Sequence, residues 1–402
     1  MTSDTGDTIL NRQPLPAEIV LSPSWWHRHE GMVFDEDFFF HPIKRVEAER
    51  KMEQVLYDRW GRFGLGQDRD KKLPQVGAVH LASGFLLSEM LGCRVEYQAH
   101  RPPQVISAER EDLSLDFENA FQSEAFVRFQ GLVDSLKGKF GFLVGDVNWS
   151  GVLNLALDLR GSGFFMDIFD RPDQARKFLL TIARIVEKFS IGIESQTGTS
   201  SISVNRTVRF FDRPVFLHSE CSHTMISLEH YQEFLFPIDR YWSERYRPFG
   251  IHYCGKDPHR YAEVFAKLPH LDFLDVGWGG DVKKLRQALP NTFLNIRLSP
   301  VEIVNQSEEE IRQTVIRRIR DSGNPYLTGV CCINMDDQVS DGKITAILET
   351  IQELRRSLVL RPKRITEIGP KNSPRKGCSR KNQEGRSEKQ ISRGESLPTI
   401  DS

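Results

Sequence analysis

Hydrophobic and polar positions are patterned most regularly between residues 249 and 358. Short apolar runs at 249–254, 273–276, 292–297 and 325–330 read as buried strands. The intervening stretches 258–268, 281–289, 307–321 and 342–358 carry helical periodicity. In 307–321, Ser307 and Glu310 form a capping-box pattern, and Ile311, Val315 and Ile319 recur every four residues. In 342–358, Ile344, Ile347, Leu348, Ile351 and Leu354 share one side. Repeated strand–helix units of this kind require a parallel sheet with helical crossovers.

Upstream, 76–81, 140–144 and 215–218 read as strands, and 171–190 and 227–247 as long helices. The sum, about eight strand–helix units, predicts a single (β/α)8 TIM-like barrel and not a doubly wound sheet. The expected division is an N-terminal extension packing on the barrel (1–66), the barrel (67–360) and a tail (361–402).

Composition adds to this picture. The chain has 402 residues, 39% hydrophobic and 10% aromatic, and is expected to be globular. Its net charge of −1 hides a split. Residues 361–402 hold 11 Lys/Arg against 5 Asp/Glu, a net of +6, and the other 360 residues carry −7. The tail has almost no apolar residues, so it is expected to be disordered. The body gives no reason to expect a nucleic-acid surface. No run of about 18 apolar residues predicts a membrane span. The polar first residues lack an apolar signal segment, which points to the cytoplasm. Six cysteines are too few for a disulfide scaffold, so Cys/His clusters read first as metal or catalytic sites.

His252 and Cys254 close one predicted strand, and Cys331 and Cys332 close another. Parallel barrels gather their strand C-termini on one face, where active sites lie. Residues two apart on a strand point the same way, so His252 and Cys254 can face a common point. Sulfur and nitrogen donors there make a zinc-type set with one position open. A satisfied core histidine with inert buried thiols is the alternative reading of the same residues.

The segments Ile251-His252-Tyr253-Cys254-Gly255 and Cys331-Cys332-Ile333 resemble the uroporphyrinogen decarboxylase superfamily, and most closely its zinc-dependent, corrinoid-linked methyltransferase branch. Further likeness lies in 86–95, Pro102-Pro103, 152–172 and 226–237, so the resemblance spans roughly 76–358. It implies a TIM-like barrel and His252, Cys254 and Cys331 as zinc ligands. It also implies transfer of a methyl group between a corrinoid (cobalamin), carried by a partner protein, and a small thiol or other small substrate. Cys332 stands where the branch often has glycine. The Arg-rich motif of the decarboxylases is not matched by Trp25-Trp26-His27-Arg28-His29. A metal-independent lyase, or a non-catalytic corrinoid- or tetrapyrrole-binding protein, is therefore the weaker reading. Asn295 to Pro300 retains only the proline of the family's Gly-Asn-x-Asp-Pro segment, so the substrate does not carry over.

Other polar residues at predicted strand ends are candidates for the same site. Asp275 is a fourth ligand or an acceptor that orients His252, or else a loop cap. Glu220 is a proton acceptor or labile ligand. His80, Trp278 and Arg297 are candidate substrate contacts, Arg297 for an anionic group. Trp25, Trp26, His27 and His29 read as packing over the barrel end or as a lid. Asp336-Asp337 reads as a solvated loop pair.

Overall fold

The computed structural model describes residues 13–66, 76–78, 84–141, 143–145, 150–198 and 207–359. His80, the end of the predicted strand 76–81 and the tail 361–402 lie outside them.

Among the described residues, eight strands make parallel pairs, in two sheets. Six form one sheet: β1 (Ala17–Leu21), β6 (Phe216–Ser219), β7 (Phe249–His252), β8 (Phe273–Val276), β9 (Phe293–Leu298) and β10 (Thr328–Met335). Their hydrogen-bonded order is β1-β10-β9-β8-β7-β6. The other two, β2 (Val76–Ala78) and β5 (Val144–Gly145), pair with each other. The chain order of these eight strands is that of a (β/α)8 barrel. Between β2 and β5 stands an antiparallel hairpin of β3 (Arg94–Gln98) and β4 (Arg101–Ile106).

The sheet strands are continuous apolar runs because both faces are covered. Every residue of β6, β7 and β8 is buried. On their outer faces the strands meet amphipathic helices. Glu308–Asp321 starts at the predicted capping box and buries Ile311, Val315 and Ile319. Asp341–Val359 follows β10, and Pro172–Thr197 runs for 26 residues along the upstream half. No described helix is long and apolar enough to cross a membrane.

Four expectations are corrected. Ala17–Leu21, within the segment read as an extension packing on the barrel, is itself a strand of the sheet, paired with β10. Phe140 does not open a strand; it ends the helix Glu124–Phe140, and Gly141 at φ 69° stops that helix. The helix expected over 258–268 is a 3-10 turn, Pro258–Tyr261, followed by the short helix Ala262–Phe265. The last strand begins at Thr328 and runs to Met335, with Pro325 in a preceding turn.

The inward face of the strands is layered. Val208, Phe211, Val215, Leu217, Phe273 and Phe293 form an apolar cluster separate from the main core. In it the Phe273 and Phe293 rings stack with centroids 5.9 Å apart. Two residues further along the strands, the register aligns Ser219, His252, Asp275 and Asn295. The apolar layer floors a polar one at the C-terminal ends of the strands.

Candidate metal centre

His252 ends β7, and its Nδ1 lies 2.7 Å from Asp275 Oδ2 on the neighbouring strand. Asp275 Oδ1 accepts from Asn295 Nδ2 at 2.6 Å. A carboxylate that accepts the hydrogen bond from Nδ1–H fixes the proton there and leaves Nε2 as the coordinating atom. The residue expected to orient His252 is therefore in that position.

Cys254 lies two residues beyond His252 and faces the same way. Ligand atoms of Cys221, His252 and Cys254 all lie within 4.8 Å of one another. His252 is buried, Cys254 half-buried and Cys221 exposed, so the group opens at one end of the barrel. Tetrahedral zinc with sulfur and nitrogen ligands needs donors about 3.6–3.8 Å apart, so the donor set fits that ion with small adjustments. The Cys221 thiol, His252 and the charge of Arg297 favour the Cys254 thiolate over the opposing effect of burial, and bring its pKa down to about 4. Burial opposes charge on His252, but Asp275 and Cys254 outweigh it and raise its pKa to about 9.

The other candidates fall around this group. Cys331 is buried on β10, its sulfur 3.4 Å from Asn295 Nδ2, and it does not join the three donors within 4.8 Å. Burial holds its thiol well above the ordinary range. Cys332 faces the opposite side, with Sγ 3.8 Å from the Leu298 carbonyl and 2.9 Å from Met335 Sδ. It packs under the helices, and burial pushes its pKa up to about 12.

Arg297 is paired in register with Cys331. Its buried Nε has no hydrogen-bond partner among the described residues. Trp278 is half-buried on the loop after β8, and Lys256 Nζ sits 4.6 Å from its ring centroid.

Glu220 is fully buried, but its carboxylate is occupied. Oε2 accepts from the backbone N–H of Leu153 at 2.7 Å and Asn154 at 3.4 Å, and Oε1 accepts from Ser222 N–H at 2.9 Å. It thereby satisfies the free N–H groups at the start of the helix Val152–Arg160. A Cβ on Gly151 would come within 2.5 Å of Oε2, so glycine is what lets the helix start approach.

Trp25 and Trp26 are core residues at 0% and 1% exposure, packed edge to face. His27 Nδ1 lies 2.8 Å from the Met32 carbonyl, and His29 Nε2 3.4 Å from that of Asp337. Asp337, read as solvated, pairs with Arg28 at 2.6 Å.

A second group of potential ligands is His218, His223 and Asp239. Two of its members are already satisfied. His218 Nδ1 lies 2.6 Å from Asp239 Oδ1, and its Nε2 accepts from Val152 N–H at 3.2 Å. Tyr231 Oη donates to the other Asp239 oxygen at 2.6 Å. His223 is enclosed by Tyr231, Tyr253 and Tyr261, and burial keeps it neutral.

The fold is shared with a methyltransferase. That protein, from Methanosarcina mazei, superposes with a TM-score of 0.61 at 13% identity, over 86% of this chain and 95% of its own. A B12-independent methionine synthase from a Shewanella species superposes with a TM-score of 0.46 at 12% identity, over 87% and 100%. No family model and no curated protein matches the sequence.

Cys221 is the member of this group that was not among the expected site residues. Its place follows from the pairing of β6 with β7, in which Ser219 and His252 are register partners.

Proposed function

We propose that this chain is a zinc-dependent methyltransferase that moves a methyl group between a corrinoid held by a partner protein and a small thiol or methyl-donor substrate. The observation that carries the reading is the oriented donor pair, His252 backed by Asp275 and Cys254 beside it, at the open end of a barrel. The likeness of fold to a methyltransferase supports it. His252 and Cys254 would hold the ion, and the sequence resemblance adds Cys331. Bound Zn²⁺ supplies a Lewis acid that keeps a thiol deprotonated near neutral pH.

The protein's own residues have separate tasks. Asp275 holds the His252 proton at Nδ1, and Asn295 holds Asp275. Arg297, with a free buried Nε beside the cysteines, receives the anionic end of the substrate. Trp278, with Lys256 over its ring, would contact the substrate. The apolar layer of Phe273 and Phe293 closes the floor against water.

The test is metal content and methyl transfer measured together. Wild type is expected to hold one zinc per chain and Cys254→Ala to lose it. Wild type is further expected to change the cobalt–methyl absorbance of methylcobalamin when supplied with an accepted thiol. Stoichiometric zinc retained in Cys254→Ala would overturn the ligand assignment. An unchanged absorbance with every thiol and every direction of transfer would overturn the reaction.

A further inference from the structure

We infer that Cys221 is a direct ligand of the metal, joining His252 and Cys254. This rests on the metal reading above and deepens it, because the resemblance gives only His252, Cys254 and Cys331. The donor atoms of Cys221, His252 and Cys254 lie within 4.8 Å of one another, and Cys331 is outside that group.

Strand order gives the physical reason. Cys221 follows β6 and Cys254 follows β7, and these strands are hydrogen-bonded neighbours. Ser219 is paired with His252, and the segments leaving these two adjacent strand ends bring the Cys221 and Cys254 sulfurs together. Cys331 is on β10, three strands from β7 in the sheet order, and its sulfur is already beside Asn295. Soft thiolate donors with an imidazole select a borderline divalent cation such as Zn²⁺ or Co²⁺. Three protein ligands leave one tetrahedral position open, and Cys221 is the member of the set nearest solvent.

Cobalt substitution tests this without reference to turnover. Purified full-length wild type, Cys221→Ser, Cys221→His and Cys331→Ser would be stripped, titrated with Co²⁺ alone and read by absorbance. Cys221→Ser is expected to lose about half of the thiolate-to-cobalt charge-transfer intensity, as one of two thiolates, and to bind Co²⁺ at least tenfold more weakly. Cys221→His is expected to lose the same intensity while keeping the visible bands of tetrahedral cobalt. Because Cys221 is an exposed residue beyond the end of β6 whose side chain makes no capping hydrogen bond, circular dichroism of both variants should match wild type. A wild-type spectrum and affinity in Cys221→Ser, with the loss appearing in Cys331→Ser instead, would overturn the inference and leave the metal reading standing. Wild type that binds no Co²⁺ would overturn both.

Discussion

Buried carboxylates at single positions have different tasks in this barrel, and their hydrogen bonds tell them apart. Asp275 faces His252 with one oxygen and Asn295 with the other. Glu220, as near to the strand ends in sequence, spends its oxygens on three backbone N–H groups. Glu220→Ala would leave those buried donors without their acceptor, at about 1–3 kcal/mol. The expected result in urea denaturation is a lower midpoint with an unchanged slope, and zinc content equal to wild type. Lost zinc with unaltered stability would return Glu220 to the metal site. Asp158 is a third case. Burial raises its pKa, partly offset by the Ser88 hydroxyl that donates to it at 2.6 Å. A carboxyl with a raised folded pKa binds its proton more tightly when folded, so its charge costs stability as pH rises through that pKa. Asp158→Asn keeps an acceptor for Ser88 and removes the charge. The variant should melt higher than wild type near pH 7, and the gain should vanish below about pH 4, where both states of the wild type are protonated. An equal gain at both pH values would show that packing, not charge, is responsible.

Among the elements, the half from β7 onward was legible because its strands are uninterrupted apolar runs and its helices have one wet face. The capping box at Ser307 and the Ile311, Val315 and Ile319 stripe mark one such helix at both sequence and structural levels. The upstream half was less clean: the expected strands at 76–81 and 215–218 meet β2 and β6, whereas the one at 140–144 was begun too early. Phe140 read as strand because it is apolar, yet it continues the stripe of Phe129, Leu132, Val133 and Leu136 on one helix. In the site, His252 and Cys254 declared themselves through strand alternation. Cys221 did not, because its significance depends on the pairing of β6 with β7, which no local pattern encodes. The loops after β7 and β8 show a further constraint of this kind. A Cβ on Gly277 would come within 1.7 Å of the Gly255 carbonyl oxygen, and one on Gly255 within 1.8 Å of Thr224 Cγ2. A side chain at Gly277 would have to move the backbone that follows Cys254, and one at Gly255 would have to displace Thr224. Gly277→Ala should therefore cost about 1–3 kcal/mol in stability. It should also weaken metal binding at least tenfold, since a ligand geometry displaced by a fraction of an ångström loses the ion. Isothermal titration with Zn²⁺ against wild type checks this, and an unchanged affinity would mean the loop absorbs the methyl group.

For the whole molecule, the decisive feature is that the sheet recruits its edge strand from the beginning of the chain. Residues from Ala17 to Leu21 lie alongside Val330 to Met335, more than 300 residues away in sequence. The junction is sealed at both ends: Val330 N–H donates to the Pro16 carbonyl at 2.9 Å, and Ser22 N–H to that of Met335 at 2.8 Å. Arg355 from the last helix donates to the Leu15 carbonyl at 2.7 Å, so the two ends of the described chain are fastened together. Leu15, Ile19 and Leu21 are each 5% exposed or less. Burying a side chain of this size contributes about 1.5–3 kcal/mol, so these three alone match a large part of the ~5–15 kcal/mol by which a typical fold is stable. Removing the segment would also bare the backbone edge of β10, the strand that holds Cys331 and Cys332, and an open apolar edge pairs with other chains. A chain beginning at Ser22 is thus expected to show no cooperative thermal transition and to sediment as aggregates, where a variant with only Ile19→Val loses a few degrees in Tm. If the truncated chain instead melted cooperatively as a monomer, the barrel would be complete without β1, and the first strand would be a cover over a sheet that closes by other means.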